Sequence, residues 1–131
     1  MQIDPVNNKR PVNLDLPTVV RQPFPALISI THRVSGVFLL VGVGFLLYLL
    51  QESFSSPSSF AELQSLLDGV GVRLFLWLVV SALLYHWVAG VRHLLMDIGV
   101  GETLRGGRFG AMAVAAISAV LIALAGVWLW S

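Results

Sequence analysis

A short string near the start of the chain places ionisable side chains inside an otherwise apolar stretch. Ser29, His32, Arg33 and Gly36 recur at intervals of three and four residues, so on a helix they share one face. That face offers a hydroxyl and a guanidinium, and a guanidinium can hold a carboxylate in bidentate fashion. Ionisable groups within a membrane span are costly and mark candidate functional sites. The alternative is that Arg33, only about 10 Å from the helix entry, extends to the lipid headgroups.

A second string further along places histidines on another helical face. Gly90, His93 and Asp97 lie within about 40° of the direction of His86 on a helix. A neutral imidazole is a good ligand for haem iron, and Gly90 would leave room for a flat macrocycle one turn away. A histidine hydrogen-bonded across helices explains the same pattern. Because His93 is about 10 Å from His86 along the axis, a six-coordinate haem would need a histidine from another chain.

The elements that must carry these strings are long apolar segments. Of the 131 residues, 56% are hydrophobic and 11% are charged, whereas about 25% of the residues of a soluble domain are charged. Three segments, residues 26–50, 72–96 and 110–130, each reach the roughly 20 residues that span a bilayer as a helix. They lack the alternation of a barrel strand. We therefore predict an all-α integral membrane protein, with an N-terminal segment (1–25) and one three-helix membrane domain (26–131).

Composition also excludes several function classes. The net charge is only +1, so no basic field would recruit nucleic acid, and we expect no nucleic-acid partner. The chain has no cysteine, which excludes disulfides, thiolate metal sites and iron–sulfur clusters within it. Neither a phosphate-binding glycine loop nor a metallopeptidase motif is present. We expect no catalytic residue in this chain.

The distribution of charged residues predicts how the spans are oriented. Basic residues precede the first span and separate the second from the third; these are Lys9, Arg10, Arg21, Arg105 and Arg108. The connection 51–71 carries Glu62 and Asp68 but no Lys or Arg, and we expect Ser58 or Ser59 to cap a short helix over 60–67. The positive-inside rule then places the N-terminus in the cytoplasm and the C-terminus outside. Both strings would lie in the cytoplasmic half of the bilayer.

The motifs together resemble one known family. The chain contains, in order, RPVNLDL at 10–16, SITHRVSG at 29–36, and H-x-x-x-G-x-R-H-x-x-x-D from His86 to Asp97. This combination closely resembles the larger cytochrome b membrane-anchor subunit of succinate dehydrogenase in its bacterial form. The likeness covers essentially the whole chain, including its three spans. It implies a three-helix half of a six-helix, heterodimeric anchor.

The resemblance also implies roles for individual residues. His86 corresponds to the axial ligand of haem b, whose second ligand comes from the smaller anchor subunit. Ser29 and Arg33 correspond to residues lining the ubiquinone pocket, and His32 and Arg33 to positions near the haem propionates.

We further expect Arg92, His93 and Asp97 to support the site near the cytoplasmic end of the second span. Asp97 would pair with Arg92 or Arg105, and His93 would bond to a propionate or to a docked subunit.

The resemblance implies partners and a location as well. These are a flavoprotein subunit, an iron–sulfur subunit, a second small membrane anchor, lipid, and ubiquinone as substrate, all at a bacterial inner membrane with the C-terminus in the periplasm. The chain alone would not oxidise succinate. Two alternatives stay open: the anchor of a fumarate reductase that uses menaquinone, and a haem-free structural anchor or small transporter subunit.

Overall fold

The computed structural model describes residues 23–131, which form four helices and no strand. In chain order the helices are α1 (Phe24–Ser55), α2 (Pro57–Leu67), α3 (Val70–Asp97) and α4 (Leu104–Trp130). Helices α1, α3 and α4 are long and apolar enough to cross a membrane. The predicted all-α class with three spanning helices is therefore confirmed.

Helix α1 is longer at both ends than the apolar segment inside it. It begins at Phe24 although Pro25 lies in its first turn, because proline lacks an N–H that would have no helical partner there anyway. It ends at Ser55 rather than near residue 50, since backbone hydrogen bonding continues after the apolar residues stop. Most of the predicted N-terminal segment, residues 1–22, lies outside the described residues.

The short helix α2 begins earlier than the sequence pattern indicates. Its N-cap is Ser56, whose Oγ accepts a hydrogen bond from the Ser59 backbone N–H at 3.0 Å. The prediction of a cap at Ser58 or Ser59 was wrong. Pro57 occupies the first helical position, where its fixed φ favours helix initiation, so the residue before it becomes the cap.

The turn after α3 depends on glycine. Gly99 has φ of 87°, and Gly101 has φ of 83°, both in the left-handed region that favours glycine. The Gly99 N–H donates to the Met96 carbonyl and the Val100 N–H to the Leu95 carbonyl, each at 2.9 Å. This pair of hydrogen bonds is a Schellman motif, which satisfies the last carbonyls of α3 and reverses the chain.

Helix α4 begins directly after this turn. Thr103 is its N-cap, and the threonine Oγ1 accepts a hydrogen bond from the Gly106 N–H at 3.0 Å. Arg105 and Arg108, expected in the connecting loop, therefore belong to the first turns of α4. The helix begins on the N-terminal side of the apolar run that starts at Gly110, and this additional stretch contains both arginines.

The central helix is α3, which packs against both α1 and α4. At four places a large side chain of α3 lies against a glycine of a neighbouring helix, where an added Cβ would come within 2.9–3.3 Å of it. The pairs are Val79 with Gly42, His86 with Gly36, Arg92 with Gly110, and Trp77 with Gly126. Small residues let membrane helices approach closely. Glycine placement therefore fixes how α3 is seated between its neighbours.

We expect Gly42→Ala to destabilise the contact between α1 and α3. The new Cβ would lie 2.9 Å from Cγ1 of Val79, which is fully buried and β-branched and so cannot rotate away. Overpacking of this kind costs about 1–3 kcal/mol. Thermal unfolding of the purified protein in detergent should show a lower midpoint than for Gly44→Ala, because a Cβ at Gly44 meets nothing within 4 Å. Adding Val79→Ala should restore much of the loss; an unchanged midpoint in Gly42→Ala would contradict the tight packing.

The outward faces of the long helices are strongly apolar. On α1, Val37, Leu40 and Val41 have 73%, 81% and 70% of their surface exposed. Contiguous exposure of large apolar side chains is unfavourable in water and indicates a lipid or protein neighbour. One small cluster of buried apolar residues joins the three long helices; it comprises Ile28, Ala89, Ala111 and Val114, with Tyr85 and Val88 packed against them.

Candidate functional site

All three histidines of the chain come together between α1 and α3. The rings of His32 and His86 are stacked, with centroids 4.0 Å apart and planes inclined by 18°. The His93 ring lies 5.1 Å from that of His32, tilted by 49°. The two ionisable strings identified in the sequence therefore meet at one site, as their antiparallel helices predicted.

Hydrogen bonds at His86 define which of its ring nitrogens carries the proton. Ser35 Oγ donates to the His32 carbonyl at 2.7 Å, which leaves the Ser35 oxygen as an acceptor. His86 Nδ1 lies 3.0 Å from that oxygen and 3.1 Å from the same carbonyl oxygen. Because both partners are acceptors, Nδ1 must donate and therefore holds the hydrogen. In the neutral imidazole with the hydrogen on Nδ1, Nε2 has the lone pair, and it makes no hydrogen bond within residues 23–131, so it is the nitrogen available to a metal.

Two glycines provide space for the histidine rings. A Cβ at Gly36 would lie 3.0 Å from His86 Cε1, and a Cβ at Gly90 would lie 3.5 Å from His32 Nε2. The gap beside Gly90, which the sequence suggested for a flat macrocycle, is therefore occupied by the His32 ring from the neighbouring helix. His32 Nε2 is buried and has no hydrogen-bond partner in the described chain. A buried polar atom without a partner is costly, so His32 Nε2 is a position where a water or a ligand atom can bind.

The stacking of the His32 and His86 rings limits which histidines of this chain could bind the same haem iron. Two axial ligands of one haem must direct their nitrogens at the iron from opposite sides, whereas His32 and His86 present their ring faces to each other. His93 is seven residues from His86 on the same helix and contacts His32 instead. Within the part of the chain that is described, His86 is thus a candidate for one axial position, and the structure brings no second histidine opposite it.

Ser29 and Arg33 lie one turn apart near the start of α1, which is the end that the sequence predicts to be cytoplasmic. Ser29 is half-buried, while Arg33 is exposed and forms no ion pair among residues 23–131. The hydroxyl and the guanidinium are therefore both available as hydrogen-bond donors to a ligand that enters from the side. Their neighbour Ile28 is buried against α3, which anchors this face of α1.

Two functional candidates were missed by the sequence analysis. Tyr85, beside His86, donates its hydroxyl to the Ile28 carbonyl at 3.0 Å and also contacts the Thr31 hydroxyl. Ser35 Oγ lies 3.0 Å from His86 Nδ1, as described above. The spacing of Ser35 could have identified it from the sequence, because Ser35 follows His32 by three residues and so lies on the same helical face.

Arg92 and Asp97 are not where the sequence analysis expected them. Arg92 is buried with 8% of its surface exposed, and its Nη2 donates to the Gly107 carbonyl at 3.3 Å. It follows His86 by six residues, about 120° around α3, so it faces α4 rather than the histidines. Asp97, the exposed last residue of α3, pairs with neither Arg92 nor Arg105. In the described residues the only ion pair is Arg73–Asp68 at 3.3 Å, at the opposite end of α3.

Comparisons with known proteins identify the family. The chain is 44% identical over 126 residues to the succinate dehydrogenase cytochrome b556 subunit of Coxiella burnetii, covering 95% of this chain and 100% of that one. It is 33% identical over 110 residues to the subunit of the same name from Paracoccus denitrificans, covering 81% and 82%. The corresponding subunit of Rickettsia bellii is 30% identical over 102 residues, covering 76% and 77%.

A family model gives the same result over nearly the full length. Residues 6–125 match the succinate dehydrogenase/fumarate reductase transmembrane subunit. The three spanning helices and the family together indicate a multi-pass membrane protein. This chain therefore belongs to the succinate dehydrogenase/fumarate reductase transmembrane-subunit family, among whose members it is similar to the cytochrome b membrane anchors.

Proposed function

We propose that the chain is the membrane-anchor cytochrome b subunit of a succinate:ubiquinone oxidoreductase. In this function it holds one side of a haem b, forms one wall of the ubiquinone site, and does not itself oxidise succinate. The observation that carries the proposal is the state of His86: Ser35 Oγ and the His32 carbonyl oxygen both accept from Nδ1, which leaves Nε2 free to bind iron.

The residues around His86 fit a haem. Its iron would be bound by His86 Nε2, and the haem would supply one-electron transfer chemistry. His32 Nε2, buried without a partner, would gain an acceptor from a propionate, and Arg33 would neutralise the propionate charge. His93 contacts His32 and would support its orientation. The second axial ligand would come from the other small anchor subunit.

The quinone site would use the donors on α1. Ser29 and Arg33 are one turn apart and accessible. A quinone carbonyl oxygen gains electron density during reduction, so a hydroxyl and a fixed cation beside it stabilise the reduced forms more than the neutral quinone. In this role the chain's residues bind and orient the headgroup, while the electrons come from centres in other subunits.

The location and partners follow from the same proposal. The chain would lie in a bacterial inner membrane with its N-terminus in the cytoplasm and its C-terminus in the periplasm. The flavoprotein and iron–sulfur subunits would dock on the cytoplasmic side, above Ser29 and Arg33. The exposed apolar residues of α1, among them Val37 and Leu40, offer a surface for the second anchor subunit.

A purification from native membranes by a tag on this chain tests the function. We expect flavoprotein and iron–sulfur subunits to co-purify, a reduced-minus-oxidised spectrum with a b-type α band, and faster succinate-driven reduction of ubiquinone than of menaquinone. A preference for menaquinone with net fumarate reduction would instead identify a fumarate reductase anchor. Absence of the α band from a complete complex would identify a haem-free structural anchor.

A further inference from the structure

Arg92 is a buried cation without a counter-charge in the described part of the chain. Its guanidinium donates to the Gly107 carbonyl at 3.3 Å, but Nε makes no hydrogen bond, and no carboxylate oxygen of residues 23–131 lies within 4.0 Å. Only 8% of the residue surface is exposed. A buried charge is costly unless an opposite charge compensates it. The position therefore favours binding of an anion.

Arg92 lines a surface cavity that is well suited to an anion. The cavity measures about 330 Å³ and lies where the start of α1 meets the start of α4. Arg108 and the N-cap Thr103 also line it, so two arginines and the positive end of the α4 dipole border the same cavity. Glu102 is the one carboxylate among the lining residues, and it leaves an excess of positive charge.

A second cavity, of about 800 Å³, adjoins the first and is largely apolar. The two share three lining residues, which are Phe24, Leu104 and Arg108. The larger cavity adds Arg105, Phe109 and Met112. Both lie at the ends of membrane-spanning helices, where headgroups and acyl chains meet. Together they form a site with one charged and one apolar compartment.

We propose that these two cavities bind one anionic phospholipid of the surrounding membrane. Its phosphate would lie between Arg92 and Arg108 near the α4 N-terminus, and its acyl chain would cover Phe24 and Phe109. The charged compartment by itself would suit any phosphate, but the adjoining apolar compartment favours a lipid over the free ion. Basic pockets between membrane helices are a recurrent way to bind anionic headgroups. The proposal is independent of the haem and quinone roles, because Arg92 faces away from the histidines.

The test uses the full chain, purified with the subunits that accompany it and stripped of lipid in a neutral detergent. Native mass spectrometry would follow titrations with phosphatidylglycerol, with phosphatidylcholine of identical acyl chains, and with inorganic phosphate. We expect one phosphatidylglycerol to bind about tenfold or more tighter than phosphatidylcholine, as charge-assisted hydrogen bonds would give. Arg108→Gln should weaken phosphatidylglycerol binding by about tenfold and leave phosphatidylcholine binding unchanged. Arg73→Gln, at the other end of α3, is the matched control and should change neither.

Several outcomes would overturn the proposal. Equal binding of the two lipids, or unaltered phosphatidylglycerol binding in Arg108→Gln, would remove the anionic selectivity. Displacement of phosphatidylglycerol by equimolar inorganic phosphate would show a site for the free ion. Binding to the isolated chain but not to the assembled complex would show that a partner protein covers the cavity. Because Arg92 is buried and its removal can prevent folding, the exposed Arg108 is the deciding position.

Discussion

His86→Leu should abolish the low-spin, bis-histidine spectrum expected of the proposed haem site in the assembled complex. Leucine has no lone pair for iron, and neither His32 nor His93 is placed to replace His86 as ligand. In the proposed site the second anchor subunit supplies the other ligand, so some haem can remain attached, and the expected change is in ligation and spin state more than in total haem. The measurement is the reduced-minus-oxidised optical spectrum, together with low-temperature electron paramagnetic resonance of the oxidised complex.

Variants of neighbouring residues make this experiment specific. Ser35→Ala removes one acceptor for His86 Nδ1 and should weaken haem retention at the low end of the 10–100-fold range, because the His32 carbonyl still accepts. His93→Ala should leave iron ligation unchanged. It should reduce haem retention only indirectly, because His93 contacts His32 and supports its orientation. Trp87→Leu, next to His86 but 65% exposed, is the control at the same depth. An unchanged low-spin spectrum in His86→Leu would refute the assignment.

Arg33→Leu and Ser29→Ala should impair quinone reduction while leaving upstream electron transfer intact. If each donor contacts the carbonyl oxygen mainly in the transition state, its loss should lower the ubiquinone reductase rate by about 10²–10³. Succinate oxidation with an artificial dye that takes electrons before the membrane should persist, since the proposed function assigns the flavin and iron–sulfur centres to other chains. Both rates are measured on the same assembled complex.

The comparison of the two assays decides the interpretation. Arg73→Gln also removes an arginine, but from the Asp68 pair at the far end of α3, and should change neither rate. Equal losses of both activities in Arg33→Leu would indicate damaged assembly rather than a quinone role. Normal rates in both assays would exclude Ser29 and Arg33 from the quinone site.

The amino-acid sequence by itself determined the helical class, the three spans and which residues share a helical face. These properties are local: apolar run length decides whether a helix can span a bilayer, and the 3.6-residue period decides which side chains align. Antiparallel connection of two spans also sufficed to predict that the strings around His32 and His86 would lie at the same depth. The sequence did not reveal the caps at Ser56 and Thr103 or the helical position of Arg108, because cap choice depends on competing local hydrogen bonds.

Only the tertiary structure determined how the residue faces of the different helices contact one another. The rotation of each helix about its axis is set by packing, here by α3 side chains seated against glycines such as Gly36 and Gly110. That rotation puts His32 in the gap beside Gly90 and aligns Ser35 with His86 Nδ1. It also turns Arg92 towards α4, away from the histidines. Periodicity fixes the angles between residues on one helix, but the direction in which a helix faces its neighbours depends on contacts from distant parts of the chain.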